Sequence, residues 1–309
     1  MRVLDAAAVS SALGWKPAIE ALRAALLRGV DPEAEPARAG YSFGAGELLV
    51  MPSTGVRSGV NRSFAAVKLA TIAPDNPMRG LARISGVCVL LDAVTLTPVA
   101  ILDGTAMTNL RTPAVSALGV DLVAPTEAHR LLVFGSGPQA YGHVHALRVV
   151  RAVESVGVVG RSPERTAAFV AQLRDDGVDA HAATATDVGT ADLVACCTRA
   201  RRPLFEGRLL SDTAMVVACG SHEPAAREVD TETVRRCGVA VDSVRAACRE
   251  AGDVVLAMAE GAITLAELVS LARLVQGESA PKPRLVKTVG MGWQDLVVAA
   301  AVFDAESRR

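Results

Sequence analysis

The stretch LLVFGSGPQAYGHVHALRVV, residues 131–150, runs from an apolar strand through a glycine turn into an amphipathic helix. Gly135 and Gly137, with Ala140 in third place, satisfy the spacing G-x-G-x-x-G/A. The first glycine permits a tight turn, and the second lets backbone approach a pyrophosphate. A small third residue lets helix and strand pack closely, with the phosphates at the helix N-terminus. The motif alone is weak, because a tight strand-to-helix turn needs no ligand. Here it follows a strand, opens a helix and begins a series of such units. Dinucleotide binding by Gly135, Ser136, Gly137, Pro138, Gln139 and Ala140 is therefore expected.

Working outward, short apolar runs alternate with longer amphipathic ones from residue 131 onward. VESVGVVG, ADLVACCT, AMVVACG, VAVDS and LVKTVG read as further strands, and SPERTAAFVAQLRDD as a helix. Strands alternating with helices imply a parallel, doubly wound α/β sheet of Rossmann type. Half the residues are apolar and only 3% aromatic, so the core is built from Ala, Val and Leu, which suits buried parallel strands.

The second strand ends VGVVGRSPER, residues 156–165. A sheet that binds NAD usually offers Asp or Glu here, for the ribose 2′-hydroxyl. This chain has Gly160, Arg161 and Ser162, with Arg165 one turn on. A missing carboxylate removes repulsion with a 2′-phosphate, and an arginine with a hydroxyl can bind one. NADPH is expected over NADH, unless Arg161 is simply a solvated loop residue.

The first 113 residues read differently. An Ala-rich helical opening over about 30 residues leads to GELLVMPS, SFAAVKLATIA and ARISGVCVLLDAVTLTPVAILDG, a run of strands in which DAVTLTP is a hairpin tip. TAMTNLRTPAVSALGVDLVA follows as a helix, with a proline marking a first turn or a kink. MGWQDLVVAAAVFDA closes the chain as a helix expected to pack back on this part. The expected division is residues 1–113 with 290–309, an α+β substrate and dimerisation domain, and residues 114–289, the NADP(H) domain.

Lys plus Arg (32) and Asp plus Glu (33) nearly cancel, which argues against a nucleic-acid partner. The six cysteines show no C-x-x-C pair or metal-ligand spacing, and most sit in apolar surroundings as small hydrophobes, so no metal is expected. No signal-like segment opens the chain and no apolar run reaches about 18 residues, so a cytoplasmic protein without a membrane partner is expected.

Cations in the first part stand out. Lys68, inside FAAVKLATIA, is either an outward edge charge or a pocket residue. Arg111 lies where the second domain begins, and clefts between domains are usual ligand sites. Arg38, in EPARAGYSF, is uninformative by itself.

Together these stretches resemble the ornithine cyclodeaminase/mu-crystallin family. The resemblance rests on GELLVMPS, VKLATIAPDNPMRGL, VLLDAVTLTPVAILDGTAMTNLRTPAVSALG, LLVFGSGPQA, ACGSHEPAARE, VDS, AGDVV and TVGMGWQDLVVAA, in the family's order, from about residue 38 to 304. It implies a homodimer acting on small α-amino or α-imino acids. Lys68 and Arg111 match the family's substrate-site lysine and arginine, and Arg38 a further arginine. Thr288 and Val289 match pocket positions, and Thr198 a cofactor-contacting threonine. The resemblance also puts Arg111, Gly220 and Ser221 beside the cofactor.

The chain departs from the family in one loop. Cyclodeaminases carry Asp in G-x-D-x-P-G-K-x-E; aligning on Gly220, Pro224 and Glu228 puts His222 at the Asp position, with Glu223 one residue late. Ketimine-reducing relatives also lack this Asp. This loop, together with the NADP-type strand end at Gly160, points to reduction of the C=N bond of a cyclic imino acid, with Lys68, His222 or water as proton donor. His222 is otherwise a cofactor-loop hydrogen-bonding residue or an exposed one. Arg83, where relatives have a neutral residue, faces either a second carboxylate or solvent. His129, His143, His145 and His181 read as structural or solvated positions on helix or loop surfaces. Competing readings are a cyclodeaminase, an alanine dehydrogenase-like or opine-type enzyme, and a non-catalytic NADPH-binding protein of the mu-crystallin type.

Overall fold

The computed structural model describes residues 1–57, 63–278 and 283–308. By contacts the chain falls into two units, Met1–Arg111 with Met291–Arg309, and Thr112–Gly290.

The first unit opens on a strand, β1 (Arg2–Leu4), where the sequence reading expects helix alone; three residues are too few to show a period. Helices α1 (Ala6–Ala12) and α2 (Trp15–Leu27) follow, α1 being capped by Asp5, whose Oδ1 accepts from Ala8 N at 2.8 Å. Strands β2 (Ala39–Phe43), β3 (Gly46–Arg57), β4 (Ser63–Ile72), β5 (Ile84–Asp92) and β6 (Pro98–Asp103) complete a six-stranded sheet in the order β1-β6-β5-β4-β3-β2. Its pairs are antiparallel except β1 with β6. Side chains alternate across the sheet, so Phe64, Ala66 and Lys68 of β4 share the buried face. The tip between β5 and β6 is an Asx turn in which Asp92 Oδ1 accepts from Val94 N and Thr95 N.

Helix α3 (Gly104–Val123) begins in this unit and ends in the next. Pro113 lies mid-helix, neither in the first turn nor at an end, and deprives the helix of one backbone hydrogen bond beside the unit boundary.

The second unit contains β7 (Arg130–Phe134), α4 (Pro138–Val150), β8 (Ser155–Val159), α5 (Pro163–Asp175), β9 (Ala180–Ala182), β10 (Leu193–Cys196), β11 (Met215–Ala218), α6 (Thr231–Cys237), β12 (Val239–Val241), α7 (Val244–Glu250), α8 (Gly252–Ala259), β13 (Leu268–Ser270), α9 (Leu271–Val275) and β14 (Leu285–Lys287). The strands form one parallel sheet in the order β13-β12-β14-β11-β10-β7-β8-β9. Every residue of β10, β11 and β12 is buried, as a sheet covered on both faces requires. The edge strands β9 and β13 have three residues each, too short for the sequence pattern to reveal. This is the α/β fold with a doubly wound parallel sheet that the glycine turn implies.

The last helix, α10 (Gly292–Glu306), belongs to the first unit and lies against β3, β4 and α2. Trp293, Leu296 and Val298 are fully buried on it, together with Gln294 and Asp295. Among the described residues, no helix is long and apolar enough to cross a membrane.

Candidate active site

In the first unit, period-2 alternation turns Lys68 inward from β4, where its strand neighbours are Met51 and Cys88. A buried ammonium needs a carboxylate, and α10 supplies it. Asp295 Oδ1 accepts from Lys68 Nζ at 2.8 Å and from Arg111 Nε at 3.2 Å. Arg111 also donates to Gln294 Oε1 at 3.2 Å, and Lys68 to Thr108 Oγ1 at 3.4 Å. Lys68, Arg111 and Asp295 are all buried. The Lys68 side chain thus faces inward, which removes its edge-charge reading. Burial, with Arg111 beside it, lowers Lys68 to a pKa of about 8, against the pull of Asp295. Cys88 behind it is pushed up to about 12 by burial and by Asp295, so it is neutral.

Arg38 sits one residue before the Ala39↔Val50 pair, while Met51↔Lys68 joins the next two strands. It therefore approaches the row that holds Lys68, two strand spacings or about 10 Å across the sheet. Asp295 is absent from the sequence reading. Its signal was available: a carboxylate in an otherwise apolar helix, GWQDLVVAA.

In the second unit the sheet order reverses at β7, which has β8 on one side and β10 on the other. Ligands of open α/β sheets bind outside the carboxyl ends of strands at such a point. Gly135 has φ +116°, and a Cβ there would lie 2.8 Å from Cys197 O, so the turn needs glycine. Gly137 is the N-cap of α4 and makes no side-chain cap bond, and space is open where its Cβ would point. An anion therefore finds a helix N-terminus and room. The residues present fit a dinucleotide: Gly135 to Ala140 for the pyrophosphate, and the end of β8 for the adenosine ribose.

At the end of β8, Arg161 and Arg165 are exposed. Ser162 caps α5, accepting from Arg165 N at 3.3 Å and donating to Glu164 Oε2 at 2.8 Å. That bond holds the Glu164 carboxyl below its usual range, so a carboxylate stands one turn from Gly160 after all.

Beyond β10 and β11 lies a buried ionic group that sequence reasoning did not single out. Glu228 Oε1 accepts from Thr198 N and Thr198 Oγ1, each at 2.7 Å, and Oε2 from Gly220 N at 2.7 Å. Asp253 Oδ1 accepts from Glu228 N at 2.7 Å, while Lys287 Nζ lies 2.9 Å from Asp253 Oδ2 and donates to Ser221 O at 2.7 Å. All three charged side chains are buried. Burial pushes Glu228 up to about 8. Burial also opposes the Lys287 charge, but Asp253 and Glu228 outweigh it and hold that pKa above the ordinary lysine value. The network fixes Thr198, Gly220 and Ser221 at the strand ends.

His222 follows in the same loop and is half-buried, whereas Glu223 is exposed and paired with Arg201 at 2.7 Å. Thr288 and Val289, past β14, are buried; Thr288 Oγ1 has no hydrogen-bond partner among the described residues, and Val289 N donates to Asp242 Oδ2 at 3.1 Å. His143 corrects the surface reading given to four histidines. Its position on α4 is fully buried, and its ring meets Cys197 and Cys219, which are not simple core thiols.

Known proteins resemble the chain over nearly its whole length. A profile of the ornithine cyclodeaminase/mu-crystallin family matches residues 2–309. A Delta(1)-pyrroline-2-carboxylate reductase of Colwellia psychrerythraea is 30% identical over 98% of this chain and 99% of its own. Ketimine reductase mu-crystallin of Mus musculus is 33% identical over 67% of this chain and 65% of its own. The structure of Thermococcus litoralis Delta(1)-pyrroline-2-carboxylate reductase in complex with NADH and L-proline superposes with a TM-score of 0.92 at 26% identity, covering 100% of this chain and 98% of that one. From the glycine turn, the Lys68–Arg111 pair and a family match that spans both units, the chain belongs to the ornithine cyclodeaminase/mu-crystallin family.

Proposed function

We propose that the chain is an NAD(P)H-dependent reductase of a carboxylated cyclic imine, Δ1-pyrroline-2-carboxylate or Δ1-piperideine-2-carboxylate, giving L-proline or L-pipecolate. The observation that carries this reading is the buried trio of Lys68, Arg111 and Asp295. Two cations share one carboxylate, which leaves one positive charge for the carboxylate of a substrate. Relatives named as reductases of this substrate class support it.

A bound reduced nicotinamide supplies hydride to the C=N carbon. The remaining work falls to side chains. Arg111, steered by Asp295 and Gln294, presents its fork to the substrate carboxylate, with Arg38 as a further cation. Lys68, with a pKa of about 8, is protonated at neutral pH and serves as the proton donor to the imine nitrogen. Thr288 and Val289 as substrate-contacting residues, and His222 as a second proton donor, are proposed on the family resemblance alone. Gly135 to Ala140, Thr198, Gly220 and Ser221 hold the cofactor, and Arg161, Ser162 and Arg165 favour NADPH through its 2′-phosphate.

We further propose a cytoplasmic homodimer formed through the first unit. Eleven of the thirteen large apolar side chains exposed among the described residues lie there, among them Val3, Tyr41, Phe43, Ile84 and Val87 on the sheet. An apolar surface of that kind marks an interface.

The test is direct. Purified protein is mixed with NADPH and each cyclic imino acid, and the reduced-nicotinamide absorbance followed. Oxidation of NADPH with either compound supports the reading, and none with both sinks it. Ammonia release from ornithine with NAD would restore a cyclodeaminase.

A further inference from the structure

Cys197 and Cys219 are the first residues past β10 and β11. Those strands are parallel neighbours in the register Cys196↔Ala218, so the two cysteines stand opposite each other. Their sulfurs are 3.9 Å apart. Both are half-buried, whereas Cys88, Cys196 and Cys237 are buried. His143 brings a ring nitrogen within 4.8 Å of both sulfurs. Its Nδ1 lies 2.7 Å from the Gln139 carbonyl, which can only accept, so Nδ1 carries a proton. Nε2, 2.9 Å from Ser116 Oγ, is the nitrogen left to gain or lose one.

We infer that Cys219 is a peroxide-reactive thiol whose oxidation product is resolved by Cys197 as an internal disulfide. A hydrogen bond with Cys197, with the His143 ring and Lys287 adding positive charge, outweighs burial and holds Cys219 well below the ordinary thiol pKa. Burial holds Cys197 well above it. Burial opposes a charged His143, but Cys219 outweighs that and raises its pKa, so His143 can take the proton that the resting Cys219 thiol directs at the Cys196 carbonyl, 3.4 Å away. An ionised thiol beside a protonated partner thiol is the arrangement that two-step oxidation needs.

The atoms balance with a hydroperoxide as oxidant. The Cys219 thiolate attacks one peroxide oxygen; the S–O bond forms, the O–O bond breaks, and the leaving oxygen takes the proton of His143. Cys197 sulfur then attacks the sulfenic sulfur; the S–S bond forms, the S–O bond breaks, and water leaves with the Cys197 proton. Two electrons pass from the sulfurs to the peroxide. Adjacent strands meet the spacing a disulfide requires, since neighbouring chains lie about 5 Å apart and bridged Cα atoms about 5.5–6 Å. The inference does not depend on the reductase reading.

The test uses the reduced full chain and hydrogen peroxide, with peptide mapping by mass spectrometry. Expected are loss of both thiol hydrogens at Cys197 and Cys219, reversal by a thiol reductant, and reaction of Cys219 about tenfold or more faster than the half-buried Cys248. Cys197→Ser should leave a sulfenic acid at Cys219 that dimedone captures, and Cys219→Ser should leave none at Cys197. The inference is overturned by equal rates at Cys219 and Cys248, or by a dimedone adduct at Cys197 in Cys219→Ser. Zinc retained by the reduced protein and lost in Cys219→Ser would also overturn it, marking the same three atoms as a soft-metal site.

Discussion

Lys68 Nζ lies 2.8 Å from Asp295 Oδ1, tying β4 to the first turn of α10 across 227 residues of chain. Both side chains are nearly inaccessible, at 2% and 1% exposure. Arg111 closes on the same carboxylate, so one acid organises two cations that come from different elements.

Asp295→Asn leaves Lys68 and Arg111 buried without their counter-charge. Loss of one partner of a buried pair costs about 3–5 kcal/mol. Urea unfolding should show that loss together with impaired imine reduction. A variant within about 1 kcal/mol of the parent would mean that the trio is hydrated or dispensable.

Lys68 must be protonated to serve as the acid, and burial beside Arg111 lowers its pKa to about 8. The kcat/KM for imine reduction should therefore be level below pH 8 and fall about tenfold per unit above it. Lys68→Arg, which stays charged, should lose that fall, whatever activity it retains. An unchanged profile would assign the proton to another group.

Glu228 has its pKa raised from 4.5 to about 8, chiefly by burial. On unfolding it ionises more readily, so its contribution to stability is present below pH 4.5 and lost as pH rises towards 8. Glu228→Gln should flatten the stability profile over that window and weaken nicotinamide binding by freeing Thr198 and Gly220. Melting curves at several pH values, read beside cofactor titrations, check both.

Arg161→Ala should raise the Kd for NADPH about tenfold or more, as expected for a hydrogen bond to a charged group worth about 1.5–3 kcal/mol. NADH should change little. Equal losses would show that Arg161 does not meet the 2′-phosphate, leaving Glu164 to favour the unphosphorylated cofactor.

Val87→Glu places a charge on the exposed sheet of the first unit, where Val87 is 40% accessible. Light scattering should find a dimer for the parent and a monomer for the variant. A monomeric parent would remove the proposed interface.

Local pattern carried the second unit. Gly135 and Gly137 announce their turn because backbone geometry demands glycine, and apolar runs such as AMVV announce buried strands. The short strands β1, β9 and β13 escaped because three residues carry no period. Lys68 and Arg111 were legible as anomalous cations, but their shared partner was not.

By itself, then, the sequence determined the strand–turn–helix order, the loss of the loop carboxylate at His222, and the absence of a strand-end acid at Gly160. Only tertiary structure decided which charges meet. Asp295 reaches Lys68, Glu228 gathers Thr198 and Gly220, and His143 turns inward to Cys197 and Cys219. The physical reason is that a buried charge must find its partner wherever the fold brings one, and separation along the chain does not encode that meeting.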